Sequence, residues 1–147
     1  MEYTARGTPQ QNGVVERSFT TDLARANAMM LGCGFTDEAQ ELLWPYACKT
    51  AEKMGNLVYH KTVTGIPDEL FYKKASKLYR HLHPFGQMGY VALKSKIKGK
   101  FTEKSVKCIC VGYSDNHSGD TYDMYNPEMK KILTSRDVKF ETNRSTR

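Results

Sequence analysis

Thr8-Pro9-Gln10-Gln11-Asn12-Gly13-Val14-Val15-Glu16-Arg17 reads as a turn that feeds directly into a long helix. Pro9 and the Asn12-Gly13 pair are turn formers, because proline sets φ and glycine accepts positive φ. Asn12 is also placed to cap the helix it opens, its side chain accepting a backbone N–H. From Val14 onward, Val15, Phe19, Leu23, Ala26 and Met30 recur at helical spacing and predict one apolar stripe facing a core. Glu16 then falls in the first turn, on the flank of that stripe, where the helix dipole favours an ionised carboxylate. On its own terms it is an acid that complements the dipole. The helix is expected to run to about Leu31 and stop at Gly32-Cys33-Gly34, whose glycines suit a left-handed cap.

Beyond that helix, Thr36 is a second N-cap, with Asp37 and Glu38 in the turn it opens. Leu42, Leu43, Tyr46, Ala47 and Met54 are expected to bury one side, with Trp44 beside them. Pro45 should kink or restart this helix, since it lacks an N–H and clashes with the preceding turn. Both helices read as core elements. Ile66-Pro67-Asp68-Glu69-Leu70-Phe71 announces one short helix, because proline suits the first helical position.

After His81-Leu82-His83-Pro84-Phe85-Gly86 the period changes from helix to strand. Strands are expected at 88–93, 106–113, 121–125, 131–133 and 138–140, separated by turn formers such as Asn126-Pro127. Several short strands with tight turns predict a small antiparallel barrel, so the fold class is α+β. Asp115-Asn116-His117-Ser118-Gly119-Asp120 fails the calcium-loop pattern and reads as a hairpin tip.

With 147 residues, 39% hydrophobic and 26% charged, the chain is one ordinary globular domain or two small ones. No apolar run approaches the ~20 residues of a membrane span, and no membrane partner is expected. Twenty-two basic against 16 acidic residues leave a net charge of +6, which suits a polyanionic partner. Cys108 and Cys110 alternate on a strand and should share a buried face. A zinc set of His81, His83, Cys108 and Cys110 is the sharper idea, but strand alternation explains these spacings better than a zinc knuckle does. The densest basic run is Lys94, Lys96, Lys98 and Lys100, followed by Lys104 and Lys107. Extended backbone would put the first four amines on one side, either as solubilising charge or as a phosphate-tracking patch without base readout. Tyr90 and Phe101 lie near enough in sequence to add stacking, although small barrels bury such residues.

The opening decade strongly resembles the end of the catalytic core of retroviral-type integrases, in the form carried by copia-type LTR retrotransposons. Lys107-Cys108-Ile109-Cys110-Val111-Gly112-Tyr113-Ser114, Tyr125-Asn126-Pro127-Glu128 and Ser135-Arg136-Asp137-Val138 resemble the SH3-like barrel that follows that core. Ile66 to Leu70 is similar to the Thr-Pro-x-Glu-Leu segment between them, with isoleucine in place of threonine and a weaker cap. Two motif sets in order cover nearly the whole chain.

The resemblance implies a helical C-terminal remnant of an RNase H-like core with its connecting helix over 1–78, an SH3-like barrel over 79–142 and a tail over 143–147. It implies that Glu16 is the third member of an Asp, Asp, Glu triad that binds two divalent metals, Mg2+ or Mn2+ in the intact enzyme. Thr8, Gln10, Gln11, Asn12 and Arg17, with Lys94, Lys96, Lys98 and Lys100, become the expected DNA contacts. The family's two aspartates belong upstream of Met1, so the fragment is expected to be inactive alone, with no metal bound to it. Retroelement ends and target DNA are the implied partners, along with further copies of the intact integrase. The implied location is a cytoplasmic particle and later the nucleus. The alternative, from another class, is a non-catalytic DNA- or RNA-binding module derived from a transposon.

Overall fold

The computed structural model describes residues 9–93, 104–115 and 120–142, with residues 9–12 and 14 placed by backbone alone. Helix α1 runs Pro9–Cys33 and helix α2 runs Asp37–Asn56. Between them Gly34 takes φ +62°, the left-handed conformation that ends a helix without a Cβ penalty. Thr36 caps α2 as expected, its hydroxyl accepting the Ala39 N–H at 3.4 Å.

One expectation about the helices fails and another is narrowed. The Asn12-Gly13 turn is not formed, because α1 already begins at Pro9 and continues through both residues. Proline needs no N–H at the start of a helix, so Pro9 acts as a helix opener. Pro45 does not restart α2, which is helical on both sides of it. It lies on the exposed face, where solvent can replace the lost hydrogen bond.

Ala39, Leu43, Ala47 and Ala51 of α2 pack on Ala26 and Met30 of α1, and the alanines let the helices approach closely. The buried Thr50 lies on the same helix. Leu57 and the loop after it lead to α3, Pro67–Tyr72, which opens on proline and has no side-chain cap from Ile66. A 3-10 turn at Lys77–His81 follows, capped by Ser76. Tyr79 ties it back by donating to the Leu57 carbonyl at 2.7 Å.

Strands β1 Met88–Ala92, β2 Ser105–Tyr113, β3 Tyr122–Asn126, β4 Lys131–Ser135 and β5 Val138–Phe140 form one sheet. Its order is β4-β3-β2-β1-β5, and each paired neighbour is antiparallel. The β3–β4 turn is built by Asn126, whose side-chain oxygen accepts the Met129 N–H at 2.8 Å. Lys130 then takes φ +49°.

Cys108 and Cys110 do share a face, buried with Val91, Tyr113, Tyr122 and Met124. Tyr113 joins them although it stands three residues after Cys110. The reason is a register shift between Cys110 and Gly112, which moves the later residues to the opposite parity. At this bulge Gly112 has φ +150°, and a Cβ there would sit 2.7 Å from Thr50 Oγ1. Thr50 donates to the Val111 carbonyl at 3.2 Å, so α2 rests directly on the bulge. Val111 and Tyr125 face the helices and complete the cluster of Ala26, Met30 and Leu43. The helical hairpin and the sheet therefore share one core.

His83 closes the junction. It stacks on Phe140 with ring centroids 3.6 Å apart, and its N–H donates to Tyr113 Oη at 2.8 Å. The Tyr113 hydroxyl returns a bond to the His83 carbonyl, and burial pushes its pKa up to about 12. These contacts use His83 structurally, and among the described residues no three His, Cys, Asp or Glu group to hold a metal.

Candidate nucleic-acid interface

Glu16 and Arg17 are exposed on α1. Because the helix starts at Pro9, Glu16 is not in its first turn, and no acid is. The dipole reading is thereby withdrawn, since that effect fades beyond one turn. The local helix is well bonded: Thr20 and Thr21 hydroxyls donate to the Glu16 and Arg17 carbonyls at 2.9 Å each. The backbone of Gln10, Gln11 and Asn12 lies on the same helix. Thr8 and the four lysines Lys94, Lys96, Lys98 and Lys100 lie outside the described residues, as does Phe101.

The apolar stripe of α1 does not behave as one core face. Val15, Phe19 and Leu23 are exposed, and so are Leu42 and Trp44 of α2. All of these but Leu42 border a groove of about 800 Å³ between the helices, floored in part by Cys48 and edged by Ser18, Asp22, Lys49 and Glu52.

A different surface emerges on the sheet. On the outer face of β2, β1 and β5, Tyr90 pairs in register with Lys107 on one side and Lys139 on the other. All three are exposed, while their neighbours Val91 and Cys108 point inward. The strands that frame residues 94–103 meet beside this row, where the Leu93 N–H donates to the Lys104 carbonyl at 2.9 Å. Leu93 and Lys104, three residues along the strands from Tyr90 and Lys107, flank residues 94–103 in sequence. Strand alternation identifies Tyr90, Lys107 and Lys139 as outward positions, but only the pairing of β5 with β1 brings Lys139 beside Tyr90.

Elsewhere several basic side chains are paired with acids. Lys49 and Lys53 of α2 hold Asp115 at 2.7 and 2.9 Å. Burial alone would raise the Asp115 pKa, but hydrogen bonds and charge from the two lysines outweigh it and hold the carboxyl below its usual range. Lys130 pairs with Glu38 at 2.5 Å, and Arg136 pairs with Asp120 at 3.1 Å.

Residues 87–147 match the family model described as the retroviral polymerase SH3-like domain. Over 140 residues the chain is 31% identical to the Retrovirus-related Pol polyprotein from transposon TNT 1-94 of Nicotiana tabacum. That similarity takes in 95% of this chain and 10% of the polyprotein, so the chain spans about a tenth of that relative's length. No solved structure matches.

Proposed function

We propose, from the premise that this chain belongs to the retrovirus-related Pol polyproteins of transposons and includes their SH3-like domain, that it is the nucleic-acid-binding C-terminal segment of a copia-type integrase. The observation that carries the binding role is the exposed row of Lys107, Tyr90 and Lys139 across three paired strands. Phosphate contacts from lysines supply affinity without sequence readout, which suits a protein that must hold many target sequences.

The integration chemistry belongs to the intact polyprotein. There, Mg2+ or Mn2+ would supply charge stabilisation at the phosphorus during cleavage and joining of DNA ends. The described residues do not fit a complete two-metal centre, because no three His, Cys, Asp or Glu side chains group together among them. This chain would contribute one ligand, the exposed Glu16, with Gln10, Gln11, Asn12 and Arg17 on the same helix as DNA-contact candidates. The helical half would then be the end of an RNase H-like core. The same donor set favours the second reading, a module that binds DNA or RNA without chemistry of its own.

Binding of a mixed-sequence duplex to the 147-residue chain, titrated with salt, tests the nucleic-acid role. The log–log slope should be about −0.9 for each phosphate neutralised. Changing Lys94, Lys96, Lys98 and Lys100 to Gln should flatten it and weaken all sequences alike. An unchanged slope would reduce those lysines to solubilising charge.

A further inference from the structure

The outer row carries one feature that the nucleic-acid reading does not use. Glu141, the residue after β5, turns back onto it. The Tyr90 hydroxyl donates to Glu141 Oε1 at 2.9 Å, and Lys107 Nζ stands 3.6 Å from the same oxygen. One carboxylate oxygen therefore receives a hydroxyl proton and faces an ammonium. These are the partners that a phosphodiester oxygen seeks on a protein surface. Lys139 flanks Tyr90 on the other side and makes no ion pair among the described residues.

We propose that Tyr90, Lys107 and Lys139 form a seat for a nucleic-acid phosphate, and that Glu141 occupies this seat in the free protein. The inference rests on the nucleic-acid reading above and adds to it a defined contact point and a built-in competitor. The competitor is displaceable. Lys107 and Glu141 side chains are 51% and 40% exposed, and an ion pair so solvated contributes little. A phosphodiester carries the same single charge and has two free oxygens, so it can engage Lys107 and Lys139 together. Counterions released from the nucleic acid add a gain that an intramolecular carboxylate cannot supply. The Tyr90 hydroxyl keeps its proton in the waiting state, because its hydrogen bond to Glu141 and that carboxylate's charge raise its pKa. It remains a donor for the incoming phosphate. Charge complementarity selects the occupant, since the chain has a net charge of +6 and the row presents two lysines.

The test measures affinity of the whole 147-residue chain for a short duplex DNA of mixed sequence at low salt, with unfolding midpoints confirming that each variant is folded. Lys107→Gln and Tyr90→Phe should each weaken binding about threefold or more, as lost phosphate contacts do. Glu141→Gln should tighten it about threefold beyond Glu52→Gln on α2, which makes the same change in net charge. In the Lys107→Gln, Tyr90→Phe background the gain from Glu141→Gln should fall to that of Glu52→Gln, since the carboxylate then has nothing to block. A Glu141→Gln gain equal to that of Glu52→Gln in the wild-type background, or one that still exceeds it in the double background, overturns the competitor. If Lys107→Gln and Tyr90→Phe bind as wild type while the Lys94, Lys96, Lys98, Lys100 variant weakens, the seat is wrong and the nucleic-acid reading stands. If the wild-type chain binds polyglutamate but no DNA, both fall together.

Discussion

The two halves of α1 carry one continuous apolar stripe and meet opposite fates. Met30 is 6% exposed, packed with Leu43 of α2 and with Val111 and Tyr125 of the sheet. Phe19, on the same stripe, is 65% exposed beside an open groove. Helical periodicity decides that these residues line up on one side. Whether that side is dry depends on a second surface, which Ala26 and Met30 find in the shared core and Phe19 does not. The C-terminal half of α1 thus serves stability. The N-terminal half holds Glu16 and Arg17 on a helix whose removal from the core leaves it free for a functional role.

The strongest way to break this contrast is to test Glu16 by chemistry. In a Pol polyprotein containing this segment, supplied with Mg2+ or Mn2+, Glu16→Gln should abolish joining of DNA ends and leave the unfolding midpoint unchanged. A lost metal ligand removes charge stabilisation from the reaction, whereas an exposed acid contributes little to folding. Glu38→Gln, at the start of α2, is the control and should stay active. Joining near wild type in the Glu16 variant would end its assignment as a ligand.

Next comes the stripe itself. Met30→Ala should cost about 2–5 kcal/mol in denaturant unfolding, because it opens a cavity in the shared core. Phe19→Gln, eleven positions earlier on the same helix, should change stability by about 0.5 kcal/mol or less. Equal losses at the two positions would mean that the groove is closed in solution.

Gly112→Ala probes the sheet side of the core. A Cβ at φ +150° meets Thr50 Oγ1 at 2.7 Å, so strain of about 1–3 kcal/mol is expected in the same unfolding assay. Adding Thr50→Ser should not relieve it, because the hydroxyl remains and the backbone strain is untouched.

A smaller effect comes from Asp115, which ties the β2–β3 connection to Lys49 and Lys53. Its folded pKa lies below the ordinary value, so its contribution is present above about pH 4 and is lost as pH falls through the folded value. The carboxylate is about half exposed, which limits the contribution to about 1 kcal/mol or less. Asp115→Asn should lower the unfolding midpoint slightly at neutral pH, and the gap from wild type should close in acid. A gap that is constant with pH would mean that the lysines do not hold it.

Local signals read out well where their cause is local. The Thr36 cap, the Pro67 helix, the Asn126 turn and the shared face of Cys108 and Cys110 each follow from a few neighbouring residues, and each is found. Strand positions were legible to within a residue or two, and the α+β class with them. The start of α1 differs from the expectation because two local signals compete there. Pro9 can open a helix or a turn, and Asn12-Gly13 favours a turn, but each further helical residue adds a backbone bond that offsets the glycine cost of about 1 kcal/mol.

Other features belong to the fold alone. The bulge at Gly112 reverses the parity of β2, which alternation in a single strand does not reveal. Lys139 meets Tyr90 only because the last strand returns to pair with the first, across about fifty residues of chain. The burial of Met30 and the exposure of Phe19 were likewise decided by where the sheet comes to rest. Periodicity is a property of adjacent residues and is written along the chain. Register and cover are relations between distant surfaces, and they exist only once the chain has brought those surfaces together.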